Sequence, residues 1–94
     1  MHQRRDRDPA ALAHFKRRLF ELNPGSVVLV PDPNPHNGGF QRRALVVGHG
    51  RKPGRLRVRY EWTGPAHHPN DGWGRQVRTV AFDRVVAIME EVAG

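Results

Sequence analysis

Eight consecutive residues, Arg55-Leu56-Arg57-Val58-Arg59-Tyr60-Glu61-Trp62, alternate charged and apolar without a break. That period of two belongs to a half-buried β-strand. Side chains on a strand point alternately to opposite faces, so Leu56, Val58, Tyr60 and Trp62 line one side and Arg55, Arg57, Arg59 and Glu61 the other. A slip of one residue would bury three arginines, which fixes the register. The same segment therefore predicts a core ridge and, on its outer face, a row of guanidiniums about 6.7 Å apart.

The rest of the chain follows from this strand. Residues 1–8 are basic and unpatterned, and predict a flexible arm in which Arg4, Arg5 and Arg7 are available to a phosphate backbone. Asp8-Pro9 reads as a helix start, the aspartate capping free amides and the proline suiting the first helical position. Beyond it Leu12, Phe15, Leu19 and Leu22 recur at three or four residues, giving an amphipathic helix over 9–23 that Asn23-Pro24-Gly25 stops. From there the composition turns to β-branched residues punctuated by glycine and proline. Strands are predicted at 26–30, 43–47, 55–62, 75–80 and 85–89, with Phe82-Asp83-Arg84 as a single turn before the last. Residues 24–94 thus predict one five-stranded antiparallel barrel behind an N-terminal helix, a mainly β fold in a single domain.

Pro24-Gly25-Ser26-Val27-Val28-Leu29-Val30, Arg43-Ala44-Leu45-Val46-Val47, Leu56-Arg57-Val58-Arg59-Tyr60, Val77 to Val80 and the Phe82-Asp83-Arg84 turn before Val85-Val86-Ala87-Ile88 together resemble an SH3-like barrel of the Tudor or KOW sort, over about residues 24–90. The resemblance implies a strongly bent five-stranded barrel with binding across its open face and loops. It selects no ligand, since such barrels bind DNA, RNA, methylated peptides and proteins.

Charge narrows the partner. Lysine and arginine number 16 against 9 acids, a formal charge of +7, and 14 of the 16 are arginine. A surplus of this size on a small domain favours a polyanion, although a GC-rich coding sequence produces arginine regardless of function. Arg55, Arg57 and Arg59, with Arg42 and Arg43 on the neighbouring strand, Arg51 and Lys52 in the turn between, and Arg75 and Arg78 on the next, predict one continuous basic patch for DNA or RNA with little sequence readout. Trp73, set between Gly72 and Gly74, is either a stacking platform for a base or a lid on the barrel end. A methyl-lysine cage of Tyr60, Trp62 and Trp73 is a lesser alternative, and Phe40 completes the aromatic set.

A second function class uses the same surface: a small adaptor or inhibitor docking on an acidic protein. The helix decides between them, because a stripe packed on its own barrel leaves a self-contained domain, whereas an undocked one anchors a partner or a second copy in a homodimer. His36, His49, His67 and His68 have no zinc-ligand spacing. No nucleophile, phosphate loop or carboxylate pair points to catalysis, and no cofactor or metal is expected. With 37% hydrophobic residues, no cysteine and apolar runs too short to span a bilayer, the expectation is a soluble cytoplasmic protein with no membrane partner.

Overall fold

The computed structural model describes residues 8–34, 39–62 and 71–93; the basic arm and the histidines at 36, 67 and 68 lie outside them. Helix α1 spans Pro9–Phe20. It begins where the Asp8 carboxylate accepts the Ala10 amide at 3.0 Å, with Pro9 in the first turn. It ends one turn earlier than the stripe predicts, yet Leu22 beyond its end is still buried beside Leu19.

Five strands follow: β1 Val27–Pro31, β2 Gln41–His49, β3 Arg55–Glu61, β4 Trp73–Ala81 and β5 Ala87–Glu90. All pair antiparallel in the order β4-β3-β2-β1-β5. The fold is therefore an N-terminal helix followed by a five-stranded antiparallel sheet. β4 and β5 are its edges, and no ladder joins them among the described residues.

Register carries the two faces across the sheet. Val46 lies opposite Val58, Ala44 opposite Tyr60, and Leu56 opposite Val80. With Val28 and Val30 of β1 these residues form the inner face. Leu19 and Leu22 close one end of that core, and Phe82 and Val85 seal it beside them. The single turn at Phe82–Arg84 forms as the sequence predicts. Val85 belongs to the core rather than to the last strand, because its amide closes that turn onto the Phe82 carbonyl at 3.0 Å. Of three register irregularities in the sheet, one lies between β1 and β5 and two involve β3. Val47 is an extra residue in β2 between Val46 and Gly48, which face Val58 and Arg57. Arg59 and Glu61 face Val77 and Trp73, so β4 carries four residues where β3 carries two.

Candidate nucleic-acid interface

Arg55, Arg57 and Arg59 share the outer face of β3, opposite Ala81, Thr79 and Val77 of β4. On its other side Arg57 faces Gly48, which has no side chain, so the sheet around it is floored by small residues. Arg55 and Arg57 are exposed, as are Arg51 and Lys52 in the turn from β2 to β3. None of these four has a carboxylate within ion-pair distance among the described residues.

Arg59 differs. Its Nε donates to the Gly74 carbonyl at 2.7 Å and one terminal nitrogen to the Trp73 carbonyl at 3.0 Å. The guanidinium also pairs with both oxygens of Asp71, at 3.0 and 3.3 Å. Asp71 in turn accepts the Trp73 amide at 3.1 Å. That amide first, and Arg59 after it, hold the Asp71 carboxyl below its usual range against the smaller opposing effect of desolvation. Arg59 is thus a latch across the start of β4.

The remaining predicted residues do not join a single patch. Arg42 and Arg43 are sequence neighbours, so strand alternation sends them to opposite faces: Arg42 lies opposite Val30 on the inner side, and Arg43 opposite Leu29 on the outer. Arg42 pairs with Asp32 at 2.9 Å, the carboxylate being only 6% exposed. Arg43 reaches Glu90 of β5 at 3.3 Å, across the intervening β1. Arg78 lies opposite Val58 on the inner side of the edge strand, and bonds Gln76 at 3.2 Å. Arg75 is exposed in the wide step of β4.

Trp73 begins β4 opposite Glu61 and is half-buried. Its flanking glycines are fixed by geometry: Gly72 has φ +82°, and a Cβ on Gly74 would stand 3.3 Å from the Tyr60 carbonyl. Trp62 falls just past the end of β3, its amide bonded to the Gly72 carbonyl at 2.9 Å.

A second group lies round Tyr60, at the edge of the sheet formed by β4. A cleft there is lined by Pro31, Asp32, Tyr60, Thr79, Ala81 and Arg84. Burial pushes the Tyr60 hydroxyl above its ordinary value; Arg78 opposes that most strongly, Asp32 adds to it, and Arg42 and Arg84 oppose it. Sequence reasoning missed Arg84 here.

His49 donates Nε2–H to the Leu22 carbonyl at 2.9 Å, since a carbonyl can only accept. Among the described residues no three acids or histidines converge as a metal site, and no helix is long and apolar enough to cross a membrane. No protein-family model, no curated protein and no solved structure matches this chain.

Proposed function

We propose that the domain is a small barrel of the SH3-like, Tudor or KOW sort that binds the phosphate backbone of DNA or RNA, without catalysis and with little sequence readout. The strand order supports the barrel reading: β1 to β4 follow one another as a meander, and β5 returns to β1 after a one-turn element. One observation carries the binding reading. Among the described residues five basic side chains are matched by carboxylates, while Arg51, Lys52, Arg55 and Arg57 gather unmatched on one strand face and its turn. Guanidiniums on a flat sheet can contact successive phosphates but present few groups to base edges.

The test is binding of labelled duplex DNA, single-stranded DNA and RNA across a salt series, with an acidic protein as control. Each phosphate contact adds about 0.9 to the slope of log affinity against log salt on a duplex. The double variant R55S/R57S should fold normally and lower that slope by roughly two. An affinity and slope unchanged by the double substitution would remove the assignment.

A second reading, docking on another protein with an acidic surface, is favoured by a mainly apolar groove beside α1, lined by Leu12, Phe15, Val85 and Val86 together with the Lys16–Asp83 pair. Against it, Leu19 and Leu22 are spent in the domain's own core. Binding to the acidic control but to no nucleic acid would select this reading.

A further inference from the structure

The second half of α1 and the turn into β3 flank an open cleft lined by Lys16, Phe20, Pro53, Gly54, Arg55, Phe82 and Asp83. Its walls are tied together. The Phe82 amide donates to the Gly54 carbonyl at 2.9 Å, and the rings of Phe20 and Phe82 meet edge to face with centroids 4.8 Å apart. Phe82 is buried by this packing, but Phe20 stays 53% exposed, so much of its ring is open to a ligand.

The charges of the cleft are of two kinds. Lys16 and Asp83 offset each other at 3.6 Å, with both side chains largely in solvent. Among the described residues Arg55 has no acidic partner, and it continues along the outer face to Arg57 and through the turn to Lys52 and Arg51. An open aromatic ring therefore stands beside a row of unmatched cations.

We infer that this cleft takes one unpaired base of a single-stranded nucleic acid, stacked on Phe20, with its flanking phosphates on Arg55 and Arg57. The inference rests on the nucleic-acid reading above and adds the strand state. A base inside a duplex has both faces occupied by its neighbours, so only a base free of the stack offers a face to a protein ring. Such stacking tolerates any base, in keeping with a surface that reads little sequence. Phosphates on β3 alone would not distinguish single strands from duplex; the ring does.

The test compares a labelled oligothymidylate, the same backbone carrying abasic sugars, and a duplex of equal length, each bound to the unmodified protein and to F20L and F20W. F20L should weaken binding of the oligothymidylate about ten-fold, the order expected for one lost base–aromatic stack, and leave duplex binding unchanged. F20W should retain full binding. The abasic strand should bind the unmodified protein about ten-fold more weakly than the oligothymidylate, a comparison that does not depend on how F20L folds. Equal affinity for thymidylate and abasic strands, or an equal loss on single strand and duplex in F20L, would overturn the cleft assignment while leaving backbone binding in place. Binding of neither strand nor duplex by the unmodified protein would overturn both.

Discussion

Two residues apart on β3, Arg57 and Arg59 share a face but not an environment. Across from Arg57 lie Gly48 and Thr79, neither of which offers a carboxylate. Beyond Arg59 the chain turns back, and its guanidinium meets two carbonyls and the Asp71 carboxylate at once. That geometry needs a planar fork. A lysine at the same position can place one ammonium among the acceptors but cannot span them. R59K should therefore lower unfolding stability by about 1 kcal/mol, the scale of a net hydrogen bond with a charged partner in partly solvated surroundings. R57S should change stability by no more than about 0.5 kcal/mol, since among the described residues nothing is bonded to the side chain it removes. Urea unfolding of the two variants measures both. Equal costs would mean that the latch holds nothing the strand does not hold already.

At the scale of elements, α1 is divided along its length. Leu19 is fully buried and Leu22 nearly so, Phe15 packs on the rim of the core, and Leu12 in the second turn is 44% exposed. The helix docks by its C-terminal end. L19A should accordingly cost about 3 kcal/mol, the usual range for a leucine removed from a packed core, and L12A well under 1 kcal/mol. Similar losses at both positions in denaturant unfolding would show the whole stripe packed in solution. The sequence foretold the helix because apolar spacing and the Asp8-Pro9 start are local signals. The central strand was legible for the same reason, period two being written in eight consecutive residues. The bulge at Val47 was not, because an extra valine in a run of Ala44-Leu45-Val46-Val47 looks like one more strand residue. Nor were the partners of the arginines: Glu90 is 47 residues from Arg43, and no local pattern links two chain segments that distant. The split between Arg42 and Arg43 could have been read, since adjacent strand residues must face opposite ways.

For the molecule as a whole, the question is where an excess charge of +7 is displayed. Acids neutralise Lys16, Arg18, Arg42, Arg43 and Arg59 locally. Among the described residues the cations left over lie mainly on two sides, Arg51, Lys52, Arg55 and Arg57 outside β3 and its turn and Arg78 with Arg84 round Tyr60, with Arg17 and Arg75 exposed elsewhere. Net charge cannot tell these apart, because removing two cations from either side lowers it equally. Direct contact can. Counterions are released where phosphates touch the protein, whereas a charge on the far side acts only through a field that physiological salt screens within about 8 Å. R55S/R57S and R78S/R84S therefore form a matched pair. The first should lower the salt slope of nucleic-acid binding by roughly two; the second should leave the slope as it is and weaken affinity only slightly. The reverse result would move the interface to the Tyr60 cleft, and a loss shared equally by both pairs would mean that the strand wraps the domain from one face to the other.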